Sequence, residues 1–251
     1  PGDHATRGSP GLSDDLAARL RTVLALDPDA PAIEFEGRWT DWKSLSAIAT
    51  GVERHLATAG LGPGAPVGLV LRNQPAMVGA LIGVLFAGAT VVTVNASHGD
   101  TGLCADIAEL RLAAVIAMDA DWQRAGVGDA ATGALGLLVR HDPAVVEVLP
   151  GLEAPGPGPF RAEPDGIAVE MLTSGTTGPP KRIPLSYEAF GNTVAAAGAH
   201  YSGAGDRSPR LRSGVAIVSS PMVHMSGLFR TLLNLAEGRR IALLERFRVD
   251  D

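Results

Sequence analysis

Residues 173–181 read Thr-Ser-Gly-Thr-Thr-Gly-Pro-Pro-Lys, and they bring together three kinds of group suited to one task. Gly175 and Gly178 let the backbone come close to a ligand with its N–H groups turned inward. The hydroxyls of Thr173, Ser174, Thr176 and Thr177 add further donors, and Lys181 supplies a mobile point charge. Such a set suits the oxygens of a polyphosphate. The Walker pattern G-x-x-x-x-G-K-[ST] does not apply, because Lys181 stands three places after Gly178 and is followed by Arg182. Pro179, Pro180 and Pro184 keep the segment from opening straight into a helix. A second segment, Pro221-Met222-Val223-His224-Met225-Ser226-Gly227-Leu228, sets an imidazole among apolar neighbours. There it can donate to a carboxylate, gate an apolar tunnel or simply pack.

Each segment follows an apolar, strand-like run, 166–172 in the first case and 214–219 in the second. Open α/β sheets bind ligands beyond strand ends, so the two segments are expected to meet across one crevice. The elements needed to hold that crevice are legible as an alternation. Strands are expected at 67–71, 90–94 and 113–117, helices at 74–86 and 102–110, and weaker strands at 135–139 and 145–148. This predicts an α/β fold with parallel-rich sheets flanked by helices. Upstream, Ser13 heads a helix with Leu16, Leu20, Val23 and Leu24 on its apolar face. Strands at 32–35 and 38–40 flank Glu36-Gly37, and Thr40 stands ready to cap a helix carrying Leu45, Ile48, Val52 and Leu56. A proline- and glycine-rich loop near 150–166 leads into the strand before the hydroxyl-rich turn. Downstream, Ser186 is placed to cap a helix running towards His200, 226–236 is helical and 241–244 is a strand.

The chain has 251 residues, 46% hydrophobic and 19% charged, which allows a sizeable core and excludes wholesale disorder. A net charge of -6 without a basic stripe argues against a nucleic-acid surface. Residues 76–94 are uncharged and long enough to suggest a membrane span. Gly88 and the β-branched run after it instead predict a buried helix, a glycine stop and a buried strand. No transmembrane segment is expected, no leader peptide is recognised, and a cytoplasmic location is the expectation. The lone Cys104 reads as core filler, and Trp39, Trp42 and Trp122 as packing residues. The spacing of His4, His55, His98, His141 and His200 offers no metal cage.

Residues 173–181 resemble the phosphate loop of the AMP-forming adenylating enzymes, the superfamily of acyl-CoA synthetases, peptide-synthetase adenylation domains and luciferases. Residues 221–228 resemble the P-x-x-H-x-x-G-L segment of its carboxylate-activating members. The resemblance implies the large N-terminal domain of an acyl-CoA synthetase, truncated, with residues 1–251 as its N-terminal portion. It implies ATP, magnesium and coenzyme A as co-reactants and a small-molecule carboxylic acid as substrate. It also implies that Thr173, Ser174, Gly175, Thr176, Thr177 and Gly178 cradle the β- and γ-phosphates. Lys181 would neutralise the departing pyrophosphate, and His224 would border the acyl carboxylate. Amino-acid-activating members carry an aspartate near the second segment. Nothing acidic occurs over 221–228, so a fatty or other acyl acid without an α-amino group is implied.

Two departures accompany the resemblance. Arg182 stands where the family commonly has glycine, which would restrict the turn or add charge beside the phosphates. Family members also continue for roughly as long again, more than one ordinary domain. That continuation supplies the magnesium carboxylate, the ribose-binding segment and a lid bearing a catalytic lysine. The metal ligands are therefore unassigned, the lid is expected to be absent, and the piece alone is expected to be weak or inactive. A C-terminal remainder would pack on an exposed apolar face. The rival reading is a non-catalytic module or half-protein that only holds nucleotide or acyl ligand. A Walker- or kinase-type enzyme is disfavoured by the missing glycine patterns.

Overall fold

A computed structural model of the chain describes residues 13–162, 164, 166–173, 181–202 and 208–245, with the side chains of 13–15, 173 and 198–202 left aside. The chain order is α1 (Ser13–Leu24), β1 (Pro31–Phe35), β2 (Arg38–Asp41), α2 (Trp42–Thr58), β3 (Pro66–Leu71), α3 (Pro75–Phe86), β4 (Thr90–Asn95) and α4 (Asp100–Glu109). It continues with β5 (Ala114–Ala117), α5 (Asp119–Trp122), α6 (Val127–Ala130), β6 (Leu135–His141), β7 (Ala144–Val148), β8 (Ile167–Thr173) and β9 (Lys181–Ser186). The last described elements are α7 (Tyr187–Ser202), β10 (Arg212–Val218), α8 (Met225–Ala236) and β11 (Arg239–Leu243).

The strands form a seven-stranded sheet, β7-β6-β5-β3-β4-β8-β9, and a four-stranded sheet, β10-β11-β1-β2. In the larger sheet β6, β5, β3, β4 and β8 run parallel, and the antiparallel strands β7 and β9 close the two edges. A parallel sheet needs cover on both faces, which is why β3 and β4 read as nearly continuous apolar runs. Val70, Val92, Val94 and Val115 pack under Leu103, Ile107 and Val127 of α4 and α6. The opposite face shares a larger core with α1, α2, α3, α8 and the inner strands of the smaller sheet.

The uncharged stretch is α3 followed by β4, as expected. Residues Pro75 to Leu85 of α3 are all buried, and among the described residues no helix is long and apolar enough to cross a membrane. The chain reverses after α3 through Gly88 at φ +70°. A Cβ at Gly83 would lie 2.6 Å from the carbonyl oxygen of Ala49, so glycine is what lets α3 approach α2.

Several local expectations need correction. The N-cap of α2 is Asp41, whose Oδ1 accepts from the Ser44 amide at 2.7 Å, because β2 runs one residue beyond Thr40. Trp39 is 45% exposed on β2, with the Arg240 guanidinium 5.6 Å over its ring, whereas Trp42 is buried in the core. Cys104 is half-buried, its thiol turned towards the Ala125 carbonyl. Helices α5 and α6 are too short to show a period. Strand β9 was hidden by Pro184, which an edge strand tolerates because its missing N–H is not needed for a further ladder. Ser186 does cap α7, with its hydroxyl accepting from the Ala189 amide.

Two imidazoles make the fold sensitive to acid. Burial pulls His141 below its ordinary 6.5 as it packs edge-on against Phe35, and burial likewise lowers His55 in α2. The unfolded chain therefore takes up these protons at higher pH than the folded one. Their contribution is complete above about pH 6.5 and is lost as pH falls through that value towards the folded pKa values. Urea midpoints measured at about pH 7.5 and about pH 5.5 should fall with acidification, and His141→Gln should flatten part of that slope. An unchanged slope in the variant would refute the assignment.

Candidate active site

Strand β8 carries the hydroxyl-rich turn to the carboxyl edge of the larger sheet. Ala168, Val169 and Met171 are buried, and β8 is held between β4, through the parallel pairs Val91 with Val169 and Val92 with Glu170, and β9. Ser174, Gly175, Thr176, Thr177 and Gly178 lie outside the described residues, as does the Thr173 side chain. The ends of the turn are nevertheless defined. Thr173 is the last residue of β8, Lys181 is the first of β9, and the two are direct cross-strand partners. Partners of that kind have Cα atoms roughly 5 Å apart and side chains on one face of the sheet. Lys181, which is exposed, thus stands beside Thr173.

His224 is the N-cap residue of α8, in extended conformation at φ −105° and ψ 151°, and its side chain makes no capping bond. The imidazole is exposed, not packed among its apolar neighbours. Its main chain is fixed: the amide donates to the Pro221 carbonyl at 3.0 Å and its carbonyl accepts from Leu228 at 3.1 Å. Gly227 permits this tight entry, since a Cβ there would lie 2.3 Å from the Pro221 oxygen and 2.4 Å from that of Ser220.

Asn73, just beyond β3, joins this segment to the larger sheet. It is 4% exposed, and its Nδ2 donates to the carbonyls of Ser220 at 3.1 Å and Leu244 at 2.8 Å. Its Oδ1 accepts from the Met222 amide at 2.8 Å. The His224 segment is thus pinned at the carboxyl end of β3, while the hydroxyl-rich turn rises from the carboxyl end of β8. Strand β4 stands between them, so the two anchoring strands are roughly 10 Å apart on one edge.

Beside them, Arg72 forks onto buried Asp121 at 2.8 and 2.7 Å. Arg124 donates to the carbonyls of Ala96 and His98, and His98 Nδ1 meets Asp106 at 2.7 Å. Among the described residues no group of three or more His, Cys, Asp or Glu side chains could hold a metal ion. Sequence reasoning missed Asn73, Glu170 and Asp121. Only Glu170 carried a signal, a lone charge inside an apolar run, which predicts burial with a partner without saying which partner; Asn73 and Asp121 stand in polar stretches that give none.

The chain matches the family described as AMP-binding enzyme over residues 20–251. Pyochelin synthetase PchF of Pseudomonas aeruginosa is 28% identical over 187 residues, covering 74% of this chain and 10% of that protein. A sulfoacetate–CoA ligase of Cupriavidus necator is 27% identical over 257 residues, covering 96% of this chain and 47% of that protein. The crystal structure of apo MatB from Rhodopseudomonas palustris superposes with a TM-score of 0.69 at 22% identity, over 94% of this chain and 46% of that one. That likeness establishes the fold, and the chain spans less than half the length of each of these proteins.

Proposed function

Since the chain belongs to the AMP-binding enzyme family, whose members form adenylates, we propose that it activates a carboxylic acid lacking an α-amino group with ATP and passes the acyl group to a thiol, coenzyme A being the favoured acceptor. The observation that supports this reading most is the pairing of Lys181 opposite Thr173 at the carboxyl end of β8. The second support is the absence of an acidic residue over 221–228. Residues 1–251 form the N-terminal part of the adenylating unit. The apolar edge strand β10, where Val215 is 46% and Ile217 66% exposed, receives the remainder of the protein.

In this mechanism a carboxylate oxygen attacks the α-phosphorus of ATP. The bond from that phosphorus to the bridging oxygen breaks, and pyrophosphate leaves with the electron pair. Thr173, Ser174, Gly175, Thr176, Thr177 and Gly178 cradle the β- and γ-phosphates, and Lys181 offsets the charge of the leaving pyrophosphate. His224 borders the carboxylate and orients it for attack. A thiolate then attacks the acyl carbon and AMP departs. The described residues gather no ligand set for magnesium, so no step is assigned to it.

Acid-dependent exchange of labelled pyrophosphate into ATP by the full-length gene product tests the reading. Exchange is expected with straight-chain or aromatic acids and not with their α-amino counterparts. Exchange with amino acids alone would overturn the substrate class. ATP uptake without exchange for any acid would favour a non-catalytic binding module.

A further inference from the structure

Lys181 and Arg182 are consecutive in β9, so their side chains leave opposite faces of the sheet. Lys181 shares a face with Thr173, whereas Arg182 is opposite Leu172 and shares a face with Glu170. On that face Glu170 is buried and Leu172 and Arg182 are half-buried. The Arg182 side chain is only 14% exposed, and its Nη1 donates to the Thr93 carbonyl of β4 at 3.1 Å, reaching across β8. Its Nε stands 3.6 Å from Glu170 Oε1. Glu170, 1% exposed in the middle of β8, also accepts a two-pronged bond from Arg161, at 2.7 Å from Nε and 2.6 Å from Nη2. Arg161 is tied through its amide to the Arg111 carbonyl at 2.9 Å.

Such anchoring has a reason in the strand itself. Strand β9 is an edge element in which three of the six residues are exposed and the other three half-buried, and Pro184 lies opposite Glu170. Apolar burial therefore contributes little to holding it against β8. An ion cluster of two guanidiniums around one carboxylate replaces that missing grip at the point where the strand begins. The cation at position 182 is thus turned to a carboxylate and a carbonyl within the sheet.

We infer that Arg182 is a positioning residue: clamped by Glu170 and the Thr93 carbonyl, it fixes the start of β9 so that Lys181 is presented to the polyphosphate-binding turn. The inference rests on the function proposed above. It assigns to Arg182, and behind it to Glu170 and Arg161, control of nucleotide affinity without contact with nucleotide.

The test uses the full-length gene product and its Arg182→Gln, Arg182→Lys, Glu170→Gln and Arg182→Gln/Glu170→Gln variants. It reads the dissociation constant of a fluorescent ribose-labelled ATP, the KM values for ATP and acid, and the melting temperature. Arg182→Gln should raise the ATP constants about tenfold, because a misplaced Lys181 loses alignment, and should leave the acid KM within about twofold. Arg182→Lys, which can still donate to the Thr93 carbonyl, should recover part of the loss. Glu170→Gln should lower the melting temperature more than Arg182→Gln does, since it removes the buried charge that two half-buried guanidiniums share. The double variant should weaken ATP binding by less than the product of the single effects. A lowered melting temperature with unchanged ATP constants in Arg182→Gln would overturn the inference and leave a purely structural clamp. Equal weakening towards ATP and acid would overturn it too. If the unaltered protein takes up no ATP, the proposed function falls first and this inference falls with it.

Discussion

Lys181→Ala should lower kcat/KM for ATP by roughly two to three orders of magnitude, the usual loss on removing one preorganised charge from a developing anion. The side chain is exposed at the first position of β9, and its Cβ and backbone remain in the alanine variant, so the ladder with Thr173 persists. Melting temperature should therefore shift little while pyrophosphate exchange collapses. Lys181→Arg should recover only part of the rate, because a planar fork does not replace a compact ammonium at one phosphate oxygen. Exchange at the unaltered rate in Lys181→Ala would remove the central residue from the proposed site.

Asn73→Ala should be the most damaging neutral substitution on the carboxyl rim. It leaves the Met222 amide and the carbonyls of Ser220 and Leu244 without their shared partner. Unsatisfied buried groups cost about 1–3 kcal/mol each, and because these three respond together the expected loss is about 3 kcal/mol. Urea denaturation of the full-length gene product should display it as a lower midpoint. The acid KM should rise more than the ATP KM, since the His224 segment is what Asn73 holds. Asn73→Asp is the sharper variant. It keeps an acceptor for the Met222 amide but turns an oxygen towards two carbonyl oxygens, so it should be no more stable than Asn73→Ala. Stability equal to the unaltered protein in Asn73→Asp would contradict the bonding pattern.

Much of this architecture was readable from local chemistry. The strands β3, β4, β5 and β6 and helix α3 followed from apolar runs punctuated by glycine, and the Glu36-Gly37 turn was found between β1 and β2. The cap at Ser186 was readable from residue type, and that of α2 to within one residue at Asp41. Strand β9 was not readable, because Pro184 argues against a strand until the structure reveals that the strand lies at an edge. The effect of Arg182 was not readable either, since a cation beside Lys181 could equally face the phosphates or, as it does, a buried carboxylate.

The sequence by itself determined most of the elements, β9, α5 and α6 apart, and which groups each can offer to a ligand, because periodicity, turn chemistry and capping act over a few residues. The tertiary structure alone decided the strand order β3-β4-β8-β9 and the joining of the two sheets by Asn73 to residues beyond position 219. It also decided the burial of Glu170 between Arg161 and Arg182. Those outcomes depend on contacts between segments far apart in the chain, whose free energy comes from excluding water around particular partners. A buried amide or carboxylate states only that it needs a partner, and the packing of the two sheets chooses it.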